Sequence, residues 1–473
     1  MIAGPVCHTE LVRIARRRRT YVWRFVFGMV VLGLIGMNYL TLTDWTRAWY
    51  DPIPRTISIH ELSRFGQMLF ASLMMAQAIL VIALTPGMVA DAIADERRRK
   101  TLHYLLISRL GSGEIVVGKL AARLVNVAAY VALVLPIASL LTLFGGVDPL
   151  ELVLGDVAIL ATAYFLAGLS MLVSVLARRP REAVGAAYVL TAAWLFGPIV
   201  IESLLPWVLG RGSPVLPWLL AAVQWLWPAS PLTLLTRGPS LVMGGPNALW
   251  ELVWWMIGSQ LVYGTLLIAL ATWQLRPAYR RQEGRSGRQP RLLTKAWRWF
   301  PRPPCGDDPV FWKEARVAPS GGGWVRRLTK LVGVLLVGSI VVGVLYESKS
   351  AFQEVWTNGY GYHGHQQHSS RVFFSAVLRL AWTGLFALWM VWLGSLTAAS
   401  LTSEREQDTW ISLLATPLDG REILRGKIFG ALWATRGFPA LLGLLCLIGL
   451  ASGSVHPLAL PVVLPLVALE TWF

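Results

Sequence analysis

Along the chain, long apolar runs alternate with short charged islands. Six runs of roughly twenty or more residues come first, at about 21–42, 65–90, 115–143, 150–176, 183–205 and 249–275. After a basic stretch the pattern restarts, with runs at about 328–346, 372–401 and 423–450 and a last one from about 456 to 473. Each is long enough to cross a hydrocarbon core of about 30 Å as a helix. Backbone polar groups cannot stay open in lipid, so spanning runs must be helices or strands of a closed barrel. Strict apolar–polar alternation over short segments is absent, which removes the barrel. The pattern predicts an all-α polytopic membrane protein with about ten transmembrane helices.

One charged island occurs twice. A constant, ungapped shift of 308 positions superposes Glu96 on Glu404, Arg97 on Arg405 and Thr101 on Thr409. It also superposes Leu105-Leu106 on Leu413-Leu414, Leu110 on Leu418, Glu114 on Glu422 and Gly118-Lys119 on Gly426-Lys427. Upstream, Pro5-Val6-x-x-x-Glu10 is echoed by Pro309-Val310-x-x-x-Glu314. Leu102, Leu105 and Leu106 fall at helical spacing, as do Trp410, Leu413 and Leu414, so each copy reads as a short helix with an apolar stripe behind a charged start. Thr416-Pro417-Leu418-Asp419 reads as the cap that starts the next helix, with Ser108 in the matching place. Most charged loops are solvated faces, and a helix lying on the membrane surface is the plain reading of one copy. Carboxylates kept in both copies favour a shared protein partner instead, because an anionic surface repels them.

The net charge of +17 is not spread as a nucleic-acid footprint. Basic residues cluster at the ends of apolar runs, at 16–19, 97–100, 178–181 and 276–302, as the positive-inside bias marks cytoplasmic loops. Their partners are then anionic lipid headgroups rather than nucleic acid. With the N-terminus cytoplasmic, six crossings return the chain to the same side at its longest basic stretch. The domains follow as a cytoplasmic amphipathic segment at 1–20, a first repeat at 21–275, a basic linker at 276–306 and a second repeat at 307–473. Within 1–20, Val6, Leu11 and Ile14 are expected on the membrane surface, with Arg13 and Arg16 to Arg19 toward headgroups. An even number of crossings gives both repeats one orientation, a parallel repeat. By register Phe473 matches Phe165, inside the fourth run, so the second repeat is expected to be incomplete.

Candidate chemistry is sparse. Cys7, Cys305 and Cys446 form no CxxC pair, which points to neither a disulfide framework nor zinc. His363, His365 and His368 lack an evident fourth ligand and read as a polar loop with spare histidines. Gly113-x-x-x-x-Gly118-Lys119 imitates a phosphate-binding loop, but Leu120 stands where Ser or Thr would hold magnesium, and Arg421 replaces the first glycine in the second copy. Few ionisable residues fall inside the apolar runs. Arg24, Arg123 and Arg436 lie near cytoplasmic ends, and Asp156, Glu202 and Arg379 toward outer ends. Ion-coupled carriers place such groups at depth, so secondary transport is disfavoured.

The island E-R-x-x-x-T, then L-L, S/T-x-L and E-I-x-x-G-K resembles the loop between the second and third helices of ABC-2 (type-2 exporter) permeases. The N-terminal P-V-x-x-x-E and the six-helix repeats fit the same family. The resemblance implies tandem six-helix ABC-2 permease-type bundles in parallel repeat, the second truncated, in the plasma (inner) membrane. It implies a permease subunit of an ATP-driven exporter, with no catalytic, cofactor or metal site of its own. ATP and Mg would be held by cytoplasmic ABC ATPase subunits, two of them. The docking residues would be Glu96, Arg97, Thr101, Leu102, Leu105 and Leu106, with Glu404, Arg405, Thr409, Trp410, Leu413 and Leu414 on the second ATPase. Glu114, Gly118, Lys119, Glu422, Gly426 and Lys427 would open the helix that follows each. Where the family has Gly just before the Thr, this chain has Lys100 and Asp408. The alternative is a non-transporting scaffold or assembly factor that docks a cytoplasmic ATPase.

Overall fold

The computed structural model describes residues 4–42, 59–142, 147–177, 180–209, 213–226, 246–283, 308–316, parts of 331–397, 412–413 and 415–452. Among them are helices and turns and no strand. A first unit holds α1 (Pro5–Ala15), α2 (Arg18–Leu42), α3 (Ile59–Val89), α4 (Ala94–Arg98), α5 (Leu102–Ile107), α6 (Ser112–Leu141), α7 (Pro149–Leu176), α8 (Pro180–Leu209), α9 (Leu216–Leu226) and α10 (Pro246–Glu283). A second unit holds α11 (Pro309–Arg316), α12 (Gly420–Ala434) and α13 (Gly437–Ala451). Among the described residues, five stretches are long and apolar enough to cross a membrane: Thr20–Leu40, His60–Arg98, Ser112–Leu141, Pro149–Leu176 and Glu251–Arg280.

The first unit is organised around α7, the most buried span. Its small residues Ala158, Ala161, Ala163, Ala167 and Ser170 are buried and let neighbours approach closely, the usual currency of helix packing in lipid. At one close crossing Gly168 of α7 meets Gly264 of α10. A Cβ at Gly168 would lie 2.9 Å from the Gly264 carbonyl oxygen, and one at Gly264 would lie 2.7 Å from the Tyr164 ring. By contrast, α2 covers the bundle with one face only. Phe27 and Val31 pack inward, and Tyr21, Trp23, Phe25, Met29 and Leu32 stay exposed, as lipid-facing positions do.

Three departures from the sequence reading have local causes. The apolar side of α1 is covered by protein rather than by lipid: Cys7 and Ile14 join Ala122 of α6 in one cluster, with Leu11 against it. The helix expected to stop before Arg276 continues through Pro277 to Glu283, because Leu275 and Ala278 are buried against Leu102 and Ile115. A charge ends an apolar run, not necessarily a helix. The single helix expected over 423–450 is broken into α12 and α13, bent by 51°. Pro439 has no N–H for a bond to Thr435 and its ring crowds that carbonyl, so the break falls there. Thr435 fills the gap, its hydroxyl donating to Ala431 O (3.1 Å) and accepting from Trp389 Nε1 (3.1 Å).

Candidate docking site

The repeated island becomes a compact corner at one end of the first unit, built from α1, α4, α5 and the first turns of α6. The chain leaves α3 and forms α4, whose first N–H groups are met from another helix. Ser174 Oγ of α7 accepts from Ile93 N (3.0 Å) and Ala94 N (3.2 Å). The helix then stops on a left-handed residue. Lys100 has φ 60°, Thr101 N–H bonds to Glu96 O (3.0 Å) and Lys100 N–H to Arg97 O (3.1 Å). This is the αL helix stop that normally takes glycine. Here a lysine adopts the strained backbone, so the turn survives without the family's Gly. Asp408 lies outside the described residues.

Lys119 is the centre of the corner. It is 3 % exposed, and its Nζ donates to Glu10 Oε1 of α1 (2.6 Å) and to Glu96 Oε1 of α4 (3.0 Å). The second carboxylate oxygen of Glu96 accepts from the Thr101 hydroxyl. One buried ammonium thus ties three segments together. Burial alone would raise the Glu10 pKa. The hydrogen bond and charge of Lys119, with Arg123 and Arg13 nearby, outweigh it and hold the carboxyl below its ordinary value. Gly118 lets α1 come this close, since a Cβ there would meet Val6 Cβ at 3.2 Å and Cys7 N at 3.4 Å.

Arg97 and the matched leucines are also turned inward. Arg97 donates to the terminal carbonyls of α7, Ala177 O at 2.5 Å and Val175 O at 2.9 Å, where a cation also suits the negative end of a helix. Leu102 is fully buried beside Ile93, Ile115 and Leu275, and Leu105 and Leu106 pack partly against the same cluster. Glu114 is a cap: its Oε2 accepts from Gly111 N (2.9 Å) at the start of α6. The same position in the second copy, Glu422, accepts from Asp419 N (3.1 Å). The cap therefore sits at Gly111 and Asp419, three residues beyond Ser108 and Thr416 where the sequence put it. The Thr416 hydroxyl donates instead to Leu413 O (2.6 Å).

The second corner repeats the first as far as it is described. Val310 of α11 sits on Gly426 of α12, where a Cβ would meet Val310 Cβ at 2.9 Å and Phe311 N at 3.1 Å. Lys427 is 2 % exposed. Leu413 is half-buried. Glu404, Arg405, Thr409, Trp410 and Leu414, like His363, His365 and His368, lie outside the described residues.

What faces outward is a set the sequence did not single out. Tyr104 is 74 % exposed and Ile107 69 %, both on α5. His103 stacks on Tyr279 of α10, with Nδ1 and the phenol oxygen 3.3 Å apart. Between α1 and α5 a cleft of about 380 Å³ opens, bordered by Thr9, Arg13, Thr101 and Tyr104 with Lys119 at its base. The signal for Tyr104 and Ile107 was present as the positions off the Leu102–Leu105–Leu106 stripe. The Gly113-to-Lys119 stretch that imitates a phosphate loop lies wholly in the first turns of α6.

These features define a multi-pass, all-helical membrane protein with a polar corner braced on its spanning helices. A family model described as ABC-2 family transporter protein matches residues 23–278, more than half of the chain. The chain belongs to this family and is a permease component of an ABC transporter. None of the curated proteins matches it.

Proposed function

We propose that the chain is the membrane-spanning subunit of an ATP-driven exporter in the plasma (inner) membrane, with α1, α4 and α5 on the cytoplasmic side. One separate ATPase subunit docks on α5, and a second on the matching segment at 404–414. The carrying observation is the pairing of a rigid base with an exposed apolar tip. Lys119 fixes α4 to α1 and α6, and Tyr104 and Ile107 project from the block so held. Exposed aromatic and aliphatic anchors on a preorganised support are the form that protein docking takes. Motion of the ATPase is passed on through Arg97 to the end of α7 and through Leu102 and Tyr279 to α10. The substrate moves as those spans rearrange. Basic residues at 16–19 face lipid headgroups beside the corner.

The test is co-purification of the full chain with its ATPase. Tyr104→Asp with Ile107→Asp puts two charges on the exposed tip of α5. It should weaken association at least tenfold and lower the vesicle ATPase rate, with the fold intact. Unchanged association and rate sink the docking claim. Association without ATP-dependent substrate movement would favour a docking scaffold instead.

A further inference from the structure

The spans of the first unit contain an acid that the docking corner does not use. Asp156 lies on α7, seven residues or about 10 Å beyond Pro149, and is 6 % exposed. It lies toward the outer helix end, where the sequence places it, and is turned into the bundle. Neither of its carboxylate oxygens has a hydrogen-bond partner. Gln77 of α3, the polar side chain that faces it, is 1 % exposed. Gln77 Nε2 donates to Val131 O of α6 at 3.2 Å, and its Oε1 has no donor. The helices are held close here: a Cβ at Gly155 would lie 2.9 Å from Met74 Sδ of α3. Three buried acceptor atoms therefore converge, and the donor beside them, Gln77 Nε2, is already bonded to Val131 O.

Among the described residues no cation offsets the acid. The charged groups of the packed elements are His60, Glu61, Arg64 and Asp91 on and just after α3, and Glu114, Lys119 and Arg123 on α6. Glu151 on α7, Glu182 on α8, and Glu251, Arg276 and Arg280 on α10 complete the set among the described side chains. Lys119 is taken by Glu10 and Glu96, Arg123 faces Asp91, and none pairs with Asp156. We propose that Asp156 and Gln77 form a proton-binding site, in which Asp156 carries a proton and donates it in a hydrogen bond to Gln77 Oε1. One proton removes the uncompensated charge and supplies a donor for Gln77 Oε1. A metal ion of the magnesium or calcium type would need a shell of about six or more oxygens, against three here. Parting α3 from α7 would remove the acceptor and admit water, so proton release is linked to the packing of these two spans. The proposal is independent of ATPase docking.

Infrared difference spectra of the full chain in lipid vesicles at neutral pH test it. Wild type minus Asp156→Asn should show the carbonyl stretch of a protonated carboxyl, and Gln77→Leu should shift that band as the hydrogen bond is lost. Asp156→Asn, a neutral isostere, should keep the wild-type folded yield and melting midpoint. Carboxylate bands alone in the difference spectrum overturn the proposal, and so does failure of Asp156→Asn to fold. Bands that move when sodium replaces choline in the buffer would also overturn it, in favour of a cation site.

Discussion

The corner where α1 crosses α6 and the corner where α11 crosses α12 share an inner surface and differ in their outer one. Both press a Pro-Val helix start onto a Gly-Lys pair, and in both a glutamate three residues past the cap closes the helix start. Outside, Tyr104 and Ile107 of the first correspond by register to Ser412 and Ala415, which are exposed but small. The residues written twice are those that hold the corner together, and those free to differ are the ones that face outward. Recurrence of a charged residue within a chain is thus a sign of shared scaffolding before it is a sign of shared contact.

The lysines test this most severely. Lys119→Met strands two glutamates in a buried place, and breaking a buried pair from one side costs about 3–5 kcal/mol. Unfolding of the full chain in detergent should lose that much, and Lys427→Met a comparable amount, since Lys427 is as buried. A loss below about 1 kcal/mol for Lys427→Met, the range of an exposed pair, would break the parallel. The glycines should separate the two corners. Gly426→Ala forces a methyl within 2.9 Å of Val310 Cβ and 3.1 Å of Phe311 N, whereas Gly118→Ala meets its nearest atom at 3.2 Å. Overpacking costs about 1–3 kcal/mol, and alanine returns about 1 kcal/mol of helix propensity. Gly426→Ala should therefore destabilise clearly and Gly118→Ala by less. Equal losses in the same unfolding assay would show that the two crossings are equally tight.

The helices were legible because lipid leaves the backbone few choices and the apolar runs mark where it applies. The outline of the corner was legible too, as an ungapped repeat. What each matched residue does was not. Helical spacing pairs residues three or four apart, but Lys119 meets Glu96 across 23 positions and Glu10 across 109. A glutamate that caps a helix and one that greets a partner look alike until the start of the helix is known. Pro439 did announce the break between α12 and α13, and reading it as a helix interior gave apolarity more weight than the missing N–H deserved.

Lys100 offers a smaller effect in the opposite direction. A non-glycine residue in the left-handed region costs about 1–2 kcal/mol, and glycine gives back part of that as unfolded-state freedom. Lys100→Gly should stabilise the chain by about 1 kcal/mol or less, read as a raised unfolding midpoint. A lowered midpoint would mean that the lysine side chain contributes more than its backbone loses.

The smallest effect is the pH dependence of the first corner. The Glu10 carboxyl is held below its ordinary value in the folded chain, so between the two values the unfolded chain binds more protons. Its contribution is fully present above the ordinary glutamate value and is lost as pH falls through the lowered folded one. Glu10→Gln should flatten the acid limb of stability against pH in that window, while leaving Lys119 its second partner, Glu96. The mutant and wild type should then converge at the acid end, where Glu10 is protonated in both folded and unfolded chains. If their curves stay parallel throughout, the tie between α1 and α6 is packing at Gly118 and not the buried ion pair.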